Sequence, residues 1–195
     1  MIETHPASAL VSKTLEAIGG LLGDPKAAFR SGTESSKRIY GAPAPAGVDI
    51  VIAGSHPCDL EFWQAHKSLF PAAQMVRPGG TIIVLTPCPE GVAKTHADVL
   101  NYANQPYDRI REIVDTGGVS DPVGAANAVA WSRIRERADI VLVSDGITPD
   151  ECRALGFGSF DSLDDALEDA LARLGSAASV TVMTHAPETL PIFTG

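Results

Sequence analysis

Four short apolar runs constrain this chain more than any other feature: VDIVIA (48–53), TIIVLT (81–86), DIVLV (139–143) and SVTVM (179–183). The first is apolar throughout apart from Asp49, which is the pattern of a strand covered on both faces. Helical spacing fills the gaps. Asp24-Pro25 opens a helix that runs to about Tyr40, with Asp as its cap and Pro in its first turn. Asp59 is expected to cap the helix after the first strand, and Pro71 to break or restart it. Arg77-Pro78-Gly79-Gly80 turns into the second strand. Helices are expected at Thr95–Asn104, Tyr107–Asp115 and Val123–Arg137, the last capped by Asp121-Pro122. Ser162 caps another, with Leu163, Ala166, Leu167, Ala170, Leu171 and Leu174 on one stripe, and Gly175 ends it. Alternating strands and helices predict an α/β fold: a doubly wound, mainly parallel sheet of about four strands with helices on both faces.

Residues 1–23 read as an arm and a helix, because Leu10, Val11, Leu15, Ile18 and Leu22 recur at helical spacing. Residues 24–195 read as the α/β domain. GAPAPAG (41–47) is a stiff connector. A length of 195 residues with 45% hydrophobic content suits one domain, or one domain plus an arm. The net charge of −9 argues against a nucleic-acid partner and against an anionic membrane surface. No apolar run approaches the roughly 20 residues of a membrane span. Three cysteines without short-range spacing point to a reduced, cytoplasmic protein.

Chemistry gathers after the strands. GSHPCD, TPCPEG, SDGITPD and THAPE follow the four runs, while APAG, RPGG, RA and GSAA enter them. In open parallel sheets ligands bind outside the carboxyl edge, although any βα loop also needs Gly, Pro and caps. On the first helix Gln64 and Lys67 are three apart and share a face, and Trp63 neighbours Lys67 at four. A lysine ammonium and a glutamine amide can grip a carboxylate and an adjacent hydroxyl, against the ordinary reading of a helical lysine as a solvated charge. His56 is a weak catalytic candidate, as acid or base, and His66 is expected on the outer helix face. Cys58 and Cys88 read as small buried thiols rather than as a soft metal site, since neither CxxC nor HxxxH spacing supports one. Asp145 reads as a cap and His185 as a rim residue. GxGxxG after a strand, the P-loop and GxSxG are all missing.

Read in order, GSHPCDLEFWQAHK, RPGGTIIVLTPCPEGV and THAPETLPIF resemble the C-terminal domain of the nickel-pincer lactate racemase family. In that family the loop reads like G-G-Y-P-x-D, then comes a helix with Y-Q-x-x-K, then a GG turn. The resemblance spans about residues 24–195 and is densest over 48–92. It implies racemisation or epimerisation of a 2-hydroxy acid such as lactate. The Cα hydrogen leaves as hydride to a nickel pincer nucleotide while a histidine takes the hydroxyl proton.

Gln64 and Lys67 match the family's substrate-contacting pair. Trp63 replaces the tyrosine, His56 stands at the tyrosine of the GGYP-like loop, and Ser55 and Cys58 also depart from it, so the substrate is expected to be lactate or a larger analogue. The family's N-terminal domain supplies the cofactor's lysine tether, the nickel histidine and the acid/base histidines. Nothing in residues 1–47 stands in for these, His5 included. The resemblance therefore implies an N-terminal racemase domain in cis or trans, with the isolated chain inactive. The other reading of the residues is a stand-alone α/β module that binds a small anionic metabolite at its sheet edge without catalysis.

Overall fold

The computed structural model describes residues 7–11 and 17–193. They divide into two units, Met1–Ala44 with Glu188–Gly195, and Pro45–Pro187. In the first, β1 (Ala7–Val11) and β2 (Ala17–Leu22) form an antiparallel hairpin where a helix was expected. Gly19 and Gly20 each cost a helix about 1 kcal/mol relative to alanine, and β-branched Val11 and Ile18 favour extended backbone. Leu15 and His5 lie outside the described residues. Helix α1 (Pro25–Tyr40) begins as its sequence predicts, with the Asp24 carboxylate accepting from the Ala27 N–H at 3.0 Å. GAPAPAG is not a free connector. Its first half is β3 (Gly41–Ala44), paired in parallel with β9 (Leu190–Phe193). That pairing ties residues 41–44 to the tail and moves the division from residue 23 to Ala44/Pro45.

The second unit holds the doubly wound sheet. Its strands are β4 (Val48–Gly54), β5 (Val76–Leu85), β6 (Ala138–Val143), β7 (Gly158–Phe160) and β8 (Val180–Met183). They lie in the order β7-β6-β5-β4-β8 and every neighbouring pair is parallel. The sheet has five strands, close to the expected four or so. The extra one, Gly-Ser-Phe, is too short to show a period.

Side chains alternate between the faces. Ile50, Ile52, Ile83 and Val141 point to one face and pack on Ala166 and Ala170 of α7 (Leu163–Leu174). A 12-residue helix is marginal in water. Burial at roughly 1.5–3 kcal/mol per large aliphatic side chain holds α7 in place. The other face is covered by α3 (Leu69–Met75) over β4 and β5 and by α5 (Pro122–Arg135) over β6. Fully buried Leu69 and Trp131 belong to these covering helices.

In this unit one helix and one strand were unforeseen. Helix α6 (Pro149–Leu155) starts with a reciprocal capping box between Thr148 and Glu151, and β7 follows it. The helix expected at Thr95–Asn104 is only a 3-10 turn at Ala97–Asn101, whereas α4 (Tyr107–Asp115) forms as expected. Among the described residues, no helix is long and apolar enough to cross a membrane.

Asp49, the polar exception in β4, staples the amino edge of the sheet. It accepts from the Ser179 N–H (2.8 Å), the Ser179 hydroxyl (2.7 Å) and Arg77 Nε (2.6 Å). The Ser179 hydroxyl first, then the Ser179 N–H and Arg77, hold its carboxyl down at about 2.

Candidate functional site

β4 lies between β5 and β8, so the chain leaves β4 for β5 on one side and returns through β8 on the other. Such a switch point opens a crevice at the carboxyl edge. Gly54 ends β4 there, and a Cβ on it would lie 2.7 Å from the Thr184 carbonyl oxygen, so the two loops pass too closely for a side chain. Ser55 is buried, and its hydroxyl has no hydrogen-bond partner among the described residues. The His56–Pro57 peptide is cis. His56 Nδ1 lies 3.1 Å from Asp59 Oδ2, and the His56 ring meets the His185 ring edge-on at 5.5 Å. The structure thus brings together His56 and His185, which are remote in sequence.

Asp59 pairs with His56 and does not cap the next helix. Helix α2 (Phe62–Ala65) starts later, after Glu61, and has no side-chain cap. Its orphan N–H groups are taken by the neighbouring loop instead, Phe62 by the Gly91 carbonyl (2.9 Å) and Trp63 by the Val92 carbonyl (2.8 Å). The Glu61 carboxylate accepts from the Lys94 N–H at 3.1 Å. Both strand-end loops are therefore one laced structure, and α2 is held at the edge by them.

On this short helix and the 3-10 turn after it (His66–Ser68), Lys67 Nζ donates to Gln64 Oε1 at 2.5 Å. Lys67 is exposed, and Gln64 and Trp63 are half-buried. The pair offers an ammonium and an amide side by side, as the spacing implied. Trp63 stacks on His96 with ring centroids 3.8 Å apart and planes 20° apart. His96 Nδ1 lies 2.6 Å from Asp121 Oδ2, and Asp121 Oδ1 caps α5 by accepting from the Val123 N–H at 3.0 Å. The Gly124 N–H first, and His96 next, hold the Asp121 carboxyl below its ordinary range. His96 was missed in the sequence, where it sits in a stretch read as ordinary helix. No local signal marks it, because its partners are 25 and 33 residues away.

His66 is not on an outer face. It is 6% exposed, and its ring lies among Phe62, Trp63, Phe70 and Trp131 at centroid distances of 5.4–6.3 Å. The switch to 3-10 geometry after α2 rotates the helix face, so a pure 3.6-residue period misplaces it. Burial first, and the Lys67 charge second, push its pKa down to about 4.

Cys88 is buried, adopts φ +40°, and sets its thiol 3.0 Å from the Thr86 hydroxyl. Burial pushes that thiol up to about 11, which makes it a structural group rather than a nucleophile. Gly146 passes so close that any Cβ on it would collide with the Cys88 carbonyl. Cys58 is half-buried, and its N–H donates to the Ser55 carbonyl at 2.7 Å. Glu90 pairs with Lys94. Beyond this loop a cleft of about 320 Å³ opens at the ends of β5 and β6 against Thr86, Ser144 and Asp145. A cavity of about 370 Å³ over β6 and β7 adds Thr148, Ser159 and Asp161.

The amino edge is less bland than its sequence suggests, because a groove of about 410 Å³ there is lined by Arg135, Asp139 and Arg173. Its charges are already spent on structure. Arg173 pairs with Asp139 (2.6 Å) and Asp169 (2.9 Å). Arg135 donates to the carbonyls of Ala103, Gln105 and Leu155 at 2.6–2.7 Å. At the carboxyl edge the exposed Lys67 ammonium is paired with the neutral Gln64 amide.

Residues 42–188 match the family described as lactate racemase C-terminal domain. The chain is 29% identical over 183 residues to the lactate racemase of Lactiplantibacillus plantarum, covering 90% of this chain and 42% of that one. Among solved structures, the lactate racemase apoprotein of Thermoanaerobacterium thermosaccharolyticum superposes with a TM-score of 0.78 at 18% identity, over 97% of this chain and 45% of that one. A Thermotoga maritima protein superposes with a TM-score of 0.66 at 16% identity, over 99% and 50%. The chain thus spans half or less of the length of these relatives.

Proposed function

From the premise that this chain belongs to the lactate racemase C-terminal domain family, we propose that it forms the substrate-contacting wall of a 2-hydroxy acid racemase or epimerase. The observation that carries this is the Gln64–Lys67 pair, held at the carboxyl edge beside Trp63 in the order of the family's Y-Q-x-x-K. In this reading the Lys67 ammonium takes the substrate carboxylate, the Gln64 amide takes the hydroxyl on the next carbon, and Trp63 bounds the remaining substituent. Tryptophan in place of tyrosine offers that substituent a larger planar surface. The three cysteines are all free, which supports a cytoplasmic location.

The family reading brings with it a nickel pincer nucleotide. The donors here do not fit a nickel site: among the described residues, no three His, Cys, Asp or Glu side chains converge as metal ligands, and burial keeps the Cys88 thiol protonated. The reading therefore places the cofactor and its acid/base histidines on an N-terminal racemase domain, in cis or trans, and leaves binding and orientation to this chain.

The test is kinetic. In the complete enzyme, Lys67→Ala removes a charge-assisted hydrogen bond worth about 1.5–3 kcal/mol, so kcat/KM falls by about ten- to a hundredfold. Unchanged kinetics would remove Lys67 from the site. A second reading, a non-catalytic binder of small anions, is favoured by the exposed Lys67 ammonium, which is paired only with a neutral amide of this same chain. Calorimetric binding of 2-hydroxy acids to the isolated chain, lost in Lys67→Ala but without turnover in any assembly, would select it.

A further inference from the structure

We propose that His96 is a positioning residue: clamped by Asp121, it fixes the plane of the Trp63 indole and thereby sets selectivity for 2-hydroxy acids with a large or planar side chain over lactate. The selectivity part rests on the reading of Trp63 as a substrate wall.

The geometry is that of a support and not of incidental packing. Asp121 divides its two oxygens, one capping α5 through the Val123 N–H and the other meeting His96 Nδ1 at 2.6 Å. A carboxylate partner makes Nδ1 the protonated donor, which fixes the ring's orientation. The ring so fixed lies nearly parallel to Trp63 at 3.8 Å. His66 meets the same indole edge-on at 5.8 Å, at 73°. The Trp63 N–H is tied to the Val92 carbonyl at 2.8 Å, so backbone and ring are both held. Trp63 is nevertheless half-buried rather than sealed in the core, and its chain neighbour Gln64 accepts from the Lys67 ammonium at 2.5 Å. A flat wall locked before the ligand arrives spares the ordering entropy that a free tryptophan would lose on binding.

The test uses His96→Ala, His96→Phe, Asp121→Asn and Trp63→Phe. In the isolated chain, near-ultraviolet circular dichroism of wild type minus Trp63→Phe isolates the Trp63 band. His96→Ala should abolish most of that band with the far-ultraviolet spectrum unchanged, Asp121→Asn should weaken it, and His96→Phe, which can stack without the Asp121 bond, should restore part of it. In the enzyme assembled with the racemase N-terminal domain, the probes are lactate and the phenyl-bearing 2-hydroxy acid mandelate. His96→Ala should raise KM for mandelate by about tenfold with kcat little changed, while lactate moves by less than about threefold. A Trp63 band indifferent to His96→Ala overturns the proposal, as does an equal KM rise for both acids or a loss confined to kcat. Failure of the wild-type assembly to racemise either acid instead overturns the functional reading. The dichroism still decides whether His96 holds Trp63.

Discussion

His66 makes the stability of this protein fall between neutral and mildly acidic pH. The native ring is 6% exposed among four aromatic neighbours and its pKa is pushed down to about 4, against 6.5 for a free histidine. Its native pKa lies below its unfolded one. The unfolded chain therefore binds the extra proton first as pH drops, and the stabilisation present above pH 6.5 is lost progressively down to about 4. At pH 5 the unfolded chain is almost wholly protonated at this site and the native one hardly at all. The linkage then amounts to about 2 kcal/mol, rising to about 3 kcal/mol below pH 4.

Urea unfolding of wild type and His66→Leu at pH 7 and pH 5 measures this directly, because leucine fills the apolar site without titrating. Wild type should lose about 2 kcal/mol more than His66→Leu over that interval. Asp49, with its carboxyl down at about 2, stays ionised throughout and does not confound the comparison. Equal losses in the two proteins would show that His66 is protonated in the native state, and the burial argument would be wrong.

Other consequences are as direct. Gly146→Ala should lower stability by about 1–3 kcal/mol, read by thermal unfolding, because its Cβ would force the Cys88 loop to move. In native alkylation with iodoacetamide, followed by mass spectrometry, Cys58 should react well before Cys88 and Cys152, whose thiols burial pushes up to about 11. Asp49→Asn should destabilise at pH 7. The gap from wild type should close as acid titration passes from about 4 towards 2, because a depressed carboxyl stabilises only while it is ionised.

Much of the architecture was legible because it rests on local signals. Asp24-Pro25, Asp121-Pro122 and Ser162 each carry a cap that the structure uses, and β4 reads as buried because its run lacks alternation. Where the reading failed, a distant partner decided. The hairpin at β1 and β2 is a pairing preference that overrides helical spacing. β3 depends on β9, almost 150 residues further along the chain. Asp59 answers to His56 because the neighbouring loop already satisfies the first turn of α2. Helix α6 is a different kind of miss, since Thr148-Pro149-Asp150-Glu151 announces a capping box in the sequence itself. The contact between Gln64 and Lys67 was readable because they stand only three residues apart. The His56–His185 contact and the Asp121–His96–Trp63 stack exist only once the sheet has closed.

In the proposed reading this chain grips the substrate and a second domain performs the chemistry. Chiral chromatography of a 2-hydroxy acid incubated with the chain alone, and with the chain joined to a cofactor-loaded racemase N-terminal domain, tests it most directly. No change of enantiomer is expected with the chain alone, and racemisation by the joined enzyme should drop at least tenfold in Lys67→Ala. Robust racemisation by the isolated chain, or full activity of the joined enzyme without Lys67, would contradict it.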